Sequence, residues 1–354
     1  LGASLYALFL FLYANYRLKD RRWLIPALAA GALAFYSYSP LQLVVVLSGV
    51  FFLLVDWRYH FAEPKGWRRG LAALVLLAAP YMIFRLTHAE AFLEHLRIVH
   101  SYWVSGVSLL EKFTLFFWRW LKGFNPLYWY FSNEQDLVRH LMKGYGHLPW
   151  LFLPFTLLGL WRCLRNWRQP ASRVLLIALL AAPSGAALVD VAITRLLVMV
   201  VPLAILTAMG VNDLLVWLSG KMKESRLPAL GLALTLTVAA GWMTFDAIHN
   251  GPTWYRDYTL YGMQWGWQQL SAKILDFQKA HPQARLTLSP TWANNTDVIM
   301  RFFLGDPLPI EMGTLDEHDI YFIPFEENEI FILPLEELAN LMENPKIGRA
   351  SCRE

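Results

Sequence analysis

Eight apolar stretches recur along this chain, at roughly residues 2–16, 23–39, 41–56, 70–86, 148–161, 174–190, 196–218 and 227–245. A bilayer hydrocarbon core about 30 Å thick takes about 20 apolar residues as a helix. Inside it every backbone amide and carbonyl must find its partner within the segment, which leaves helices as the spanning element. The repeated stretches therefore constrain the chain to a predominantly α-helical polytopic membrane protein with about eight transmembrane helices. Composition agrees, because 56% of residues are apolar and only 16% charged, against about 25% charged in soluble domains. The two cysteines, Cys163 and Cys352, imply no disulfide framework. Nothing in the charge pattern asks for nucleic acid.

The loops set an orientation. Arg17, Lys19, Arg21 and Arg22 follow the first stretch, and Arg58, Lys65, Arg68 and Arg69 the third. Arg162, Arg165, Arg168 and Arg173 follow the fifth, and Lys221, Lys223 and Arg226 the seventh. With eight crossings these loops share one side, which the positive-inside rule assigns to the cytoplasm. The turn at Ser39 and Pro40, the 87–147 loop, the short 190–195 loop and everything after residue 246 then lie outside. The expected location is an inner or plasma membrane.

Within the long outer loop, residues 108–122 read as a fifteen-residue helix. Lys112, Arg119 and Lys122 share one face, while Leu109, Phe113, Phe116, Phe117, Trp120 and Leu121 cover most of the rest. A narrow basic stripe on a broad aromatic body suits a helix lying in the membrane interface. An aromatic run at 123–131 follows, then Asp136, Arg139, His140 and His147.

Residues 1–246 thus form the transmembrane region. Residues 247–346 differ in kind, with six Lys/Arg against fourteen Asp/Glu. Helical periodicity at 261–280 and 297–304, a strand at 284–289, strands at 320–323 and 330–333 and a helix at 334–342 predict a small extracytoplasmic α/β domain with a partly parallel sheet. Residues 347–354 read as the in-frame translation of a sequencing adapter and are set aside.

No HExxH, GxSxG, P-loop or clustered Cys/His set occurs, which argues against a soluble hydrolase or a zinc enzyme. No metal or other cofactor is expected from the residues, and a divalent-metal requirement stays open. The polar groups at the outer ends of the stretches are the candidates. Tyr36, Tyr38 and Ser39 could line a pocket with hydroxyls or serve as interfacial belt residues. Arg85 and Arg195 oppose the positive-inside bias, and such residues face a cavity or a partner. Asp190 sits five residues before Arg195 and could pair with it.

The segment Gly31-Ala-Leu-Ala-Phe-Tyr-Ser-Tyr-Ser-Pro40 resembles one in bacterial GT-C-fold glycosyltransferases, membrane enzymes similar to protein O-mannosyltransferases and the lipid A aminoarabinose transferase. The likeness continues through residues 69–80, 88–92, 136–140, 146–149 and 154–160, and ends with 183–184, 195–202 and 208–210. It covers roughly residues 1–245 and rests on the order of short, degenerate motifs. It implies transfer of a sugar from a polyprenyl-phosphate donor to a lipid, glycan or protein acceptor on the non-cytoplasmic face. An inverting transfer of this kind needs a base for the acceptor proton and cations or donors for the leaving phosphate. Arg195, with Arg85, Arg139 and His140, is expected to bind the donor phosphate, and Tyr36, Tyr38, Ser39 and Asp136 to line the pocket. In the family the base is an acidic residue in a first outer loop. That loop is expected upstream of Leu1, so no catalytic residue is assigned and the fragment is expected to be inactive. One departure is Leu41-Gln42-Leu43, where many relatives carry Arg. The alternatives are a transporter, flippase or polysaccharide-export subunit, or a membrane-tethered sensor whose outer domain is the working part.

Overall fold

The computed structural model describes residues 1–220, 227–251, 254, 260, 262–314, 328–335 and 337–338. These are mostly helical and fall into two units. The first takes in residues 1–136 and 144–238, and the second residues 137–143 with the described residues from 239 on.

In the first unit the helices are α1 (Gly2–Leu18), α2 (Leu24–Ser37), α3 (Ser39–Val55), α4 (Trp57–Phe61), α5 (Pro64–Thr87), α6 (Ala91–Ile98), α7 (Leu109–Lys122) and α8 (Pro126–Tyr130). They continue with α9 (Leu153–Arg165), α10 (Pro170–Ala181), α11 (Ser184–Ala187), α12 (Ile193–Leu196), α13 (Val200–Ser219) and α14 (Leu227–His249), the last running on into the second unit. Each of the eight apolar stretches lies on one or more helices. Among the described residues four helical runs are long and apolar enough to cross a membrane: Pro64–Thr87, Pro170–Ala187, Ile193–Ser219 and Ala229–His249. The helices α1, α2, α3 and α9 have 17, 14, 17 and 13 residues, below the length of about 20 for an untilted span. Two of them are short for a local reason. At Tyr38 the backbone turns extended between α2 and α3, and Pro40 follows within the first turn of α3, where its missing N–H costs nothing.

Small residues let these helices approach closely. Ala27, Ala30 and Ala34 of α2 are buried against the aromatic side of α1, which carries Tyr6, Phe9 and Tyr13. Between α9 and α13 the backbones themselves meet. A Cβ on Gly159 would lie 2.0 Å from the Leu206 carbonyl oxygen, and one on Gly210 2.0 Å from that of Phe155. Where lipid tails are as apolar as leucine, such close packing is what holds helices together.

The charged ends are organised too. Asp56, just after α3, accepts from Arg17 Nε at 2.6 Å and Nη2 at 3.1 Å, and from Arg173 Nη2 at 2.6 Å. The Arg17 guanidinium also lies 3.6 Å from the centre of the Tyr59 ring. Two arginines from different helices, α1 and α10, which the sequence marks only as orientation signals, thus converge on one buried carboxylate. The end of the bundle holding Arg17, Arg69 and Arg173 is called the basic end below, and the other the loop end.

The second unit holds a three-stranded parallel sheet of order β2-β1-β3: β1 (Arg285–Leu288), β2 (Glu311–Met312) and β3 (Glu329–Ile332). Thr287 pairs with Glu311 and with Phe331. The helices α15 (Trp267–Ala280) and α16 (Thr296–Leu304) contribute Ile274 and Met300 to a core with Leu286, Leu288 and Ile310. The expected strands at 284–289 and 330–333 correspond to β1 and β3. The two-residue β2 went unanticipated, because so short a run shows no alternation. The expected strand at 320–323, and most of the expected helix at 334–342, lie outside the described residues.

Candidate functional site

The long loop is fastened to the bundle by buried polar anchors. Asn125 caps α8 by accepting from the Leu127 amide, with Pro126 at the first position. This short helix buries Tyr128, Trp129 and Tyr130. Each polar tip finds a partner. Trp129 Nε1 donates to the Gly123 carbonyl at 2.8 Å, and the Tyr130 hydroxyl meets Thr156 Oγ1 of α9 at 2.7 Å, itself 2.6 Å from Thr207 Oγ1 of α13.

The Tyr128 hydroxyl donates to Asp136 Oδ2 at 2.7 Å. Asp136 is the centre of this region. His147 Nε2 lies 3.0 Å from the same oxygen, and the Ile193 amide donates to Oδ1 at 2.7 Å. The two side chains are 1% and 9% exposed, so the pair is shielded from solvent screening. Burial pushes the Asp136 carboxyl up. The hydrogen bonds from His147, the Ile193 amide and Tyr128 outweigh it and hold the group below the usual carboxylate range. Burial, and then the neighbouring Asp136 carboxylate, push the Tyr128 phenol well above its ordinary value.

Asp136 therefore holds the start of α12, and α12 carries Arg195. The guanidinium of Arg195 reaches only the Asp190 backbone carbonyl, at 3.4 Å. The Asp190 carboxylate accepts from the Val191 amide instead, and among the described residues no ion pair forms between Asp190 and Arg195.

At the neighbouring corner α6 sits over the ends of α3 and α5. Ser39 Oγ is 3.0 Å from His95 Nε2, and the Arg85 guanidinium lies 4.5 Å from the centre of the Phe92 ring. Arg85 Nη1 is buried and has no hydrogen-bond partner among the described residues. The same holds for Arg119 Nη1. Arg119 lies 4.6 Å from the Tyr102 ring, whose hydroxyl donates to the Ala187 carbonyl at 2.7 Å.

Ser108 caps α7 by accepting from the Glu111 amide. Trp120 pins the far end of α7, its Nε1 donating to the Leu180 carbonyl at 2.8 Å. On the same side of α7 as Trp120, Leu110, Phe113 and Phe117 are exposed and form an open apolar face.

Tyr36 reaches from α2 to the turn of α5 that contains Pro80. Its hydroxyl donates to the Leu77 carbonyl at 2.8 Å and accepts from the Tyr81 amide at 3.2 Å. Its ring lines an apolar cavity of about 530 Å³ between α1, α2, α3 and α5. Tyr38 is exposed beside it in sequence but does not line that cavity.

Arg139 and His140 belong to the second unit. Arg139 Nη1 donates to the carbonyls of Leu260 at 2.5 Å and Gly262 at 3.4 Å, and burial lowers its pKa. Sequence reasoning placed Arg119 only on the basic stripe of its helix and gave no partner to His147. Only the fold shows which of several loop histidines meets a carboxylate. Among the described residues no group of three or more His, Cys, Asp or Glu side chains could hold a metal ion. No known protein family, no curated protein and no solved structure matches this chain.

Proposed function

We propose that the protein is a multi-pass membrane glycosyltransferase of the lipid-phosphate-donor kind. It moves a sugar from a polyprenyl-phosphate carrier to a lipid, glycan or protein acceptor on the non-cytoplasmic face. In this reading the chain crosses the bilayer eight times, with the tilted or short helices among them, and the acidic C-terminal unit faces outside. The donor phosphate is bound by Arg85 and Arg195 at the loop end, with Arg119 beside them in role.

The observation that carries this reading is Arg85. A buried guanidinium nitrogen without a partner costs about 1–3 kcal/mol or more, and an arginine at the loop end also opposes the orientation rule. A phosphate oxygen would satisfy both. Stacking on Phe92 holds the planar fork in place. Arg195, free of the Asp190 carboxylate, offers a second fork.

The test is binding of radiolabelled polyprenyl phosphate to the protein in nanodiscs. Arg85→Ala is expected to weaken binding about 10- to 150-fold, from about 1.5–3 kcal/mol for a hydrogen bond to a charged group. Asp190→Asn should leave it unchanged. Unaltered affinity in both Arg85→Ala and Arg195→Ala would remove the basis of the assignment. The transporter reading is favoured by one feature, Pro80 inside the long helix α5, since Pro-interrupted spans mark transport sites. It predicts donor movement across a vesicle membrane with no sugar transferred.

A further inference from the structure

The apolar cavity does not end at its aromatic wall. At the basic end it shares Tyr16, Leu24, His60 and Trp67 with a second cavity of about 630 Å³. That one is lined by Lys19, Arg21, Arg22 and Arg69, with Asp20 and Glu63 as the carboxylates. Arg21 pairs with Glu63 at 3.1 Å and Arg22 with Asp20 at 3.5 Å. Lys19 and Arg69 have no carboxylate partner among the described residues, so the mouth keeps two uncompensated positive charges. The first turn of α5 also opens here, with Gly66 on the cavity wall, and its free amides favour an anion.

The apolar part runs along α2 from Leu24 to Tyr36. Twelve residues of helix rise about 18 Å, close to the roughly 15 Å that one leaflet contributes to a hydrocarbon core of about 30 Å. A slot one leaflet deep, closed at the basic end by an unbalanced positive mouth, has the shape and charge of a seat for one lipid. We infer that α1, α2, α3 and α5 bind an anionic glycerophospholipid from the leaflet at the basic end, one acyl chain in the slot and the phosphate among Lys19, Arg22 and Arg69. Basic pockets between membrane helices recognise such headgroups. The seat lies at the opposite end of α5 from Arg85 and does not depend on the transferase reading.

The experiment uses the whole protein in nanodiscs of phosphatidylcholine doped with phosphatidylglycerol. After detergent exchange, the lipid retained per chain is counted by native mass spectrometry. Phosphatidylglycerol is expected to be retained in preference to phosphatidylcholine. Each uncompensated cation near the surface is worth about 1 kcal/mol, or about fivefold. The double substitution of Lys19→Gln with Arg69→Gln should therefore cut that preference about 25-fold. Neither side chain has an ion-pair partner to lose, so the fold should persist. A second variant tests the slot. A Cβ on Gly49 would meet nothing within 4 Å, and Gly49 lines the cavity, so Gly49→Phe should fill the slot and expel the chain without raising the unfolding rate. Equal retention of both lipids, an unchanged preference in the double variant, or full retention in Gly49→Phe with the fold intact would each overturn the proposal.

Discussion

The Tyr36 hydroxyl accepts from the Tyr81 amide and donates to the Leu77 carbonyl, the i and i−4 groups of the α5 turn that contains Pro80. Pro80 is the reason. It has no N–H of its own, and its ring disturbs the turn before it. In hydrocarbon no water is at hand to satisfy the loosened pair, so a hydroxyl from α2 bridges them. Tyr36→Phe is expected to cost about 1–3 kcal/mol, the range for a buried polar group left unpaired. The cost should shrink in a Pro80→Ala background, where the helix can close its own bond. A cycle of the four proteins unfolded in mixed micelles measures the coupling, and equal costs in both backgrounds would refute the bridge.

Asp136→Ala is expected to destabilise the protein by at least about 3 kcal/mol, because it strands the Tyr128 hydroxyl, the Ile193 amide and a His147 nitrogen together. Hydrogen exchange should rise at Ile193 and through α12 before it rises in α13. Uniform protection in the variant would show that Asp136 does not hold α12.

The pH dependence follows from the same carboxylate. Its folded-state pKa is depressed, so the unfolded chain binds the proton more readily. The stabilisation is therefore complete above the unfolded value of about 3.9. It is lost as pH falls through the folded value. Asp136→Asn should remove that acid-dependent part, and wild type and variant should converge in stability at the lowest pH. A difference that stays constant from neutral to acid pH would contradict it.

Gly159→Ala should prevent α9 and α13 from meeting, since the added carbon would sit 2.0 Å from the Leu206 carbonyl oxygen. The backbone must move, and the expected cost exceeds the roughly 1–3 kcal/mol typical of overpacking. Gly231→Ala is the control, because nothing lies within 4 Å there and alanine favours the helix by about 1 kcal/mol. Folded yield by fluorescence-detected size exclusion should fall for the first and hold or rise for the second.

The open face of α7 should meet lipid. Cysteine at Phe117 is expected to react with a membrane-soluble maleimide and resist a charged one. Cysteine at Trp120, held on Leu180, should resist both. Ready reaction of the Phe117 position with the charged reagent would place that face in water.

The sequence by itself determined that the chain is mostly helical, that its apolar stretches are helices, and that strands form near 284–289 and 330–333. Hydropathy, period and proline placement are local properties, and they act wherever the chain folds. Residues 108–122 are legible in the same way, since Ser108 caps the helix by accepting from the Glu111 amide and the last turn carries Arg119 and Lys122. Partner choice was not legible. The tyrosines of the 36–38 motif look alike in sequence, yet one braces the α5 turn at Pro80 while the other stays at an exposed turn. Arg195 and Asp190 lie five residues apart, yet the guanidinium meets the Asp190 backbone carbonyl and not its carboxylate. His147 and Asp136, Arg17 and Arg173, and the glycines of α9 and α13 meet only through tertiary packing. A hydrogen bond in a buried place depends on which group arrives within 3 Å, and separation along the chain says little about that.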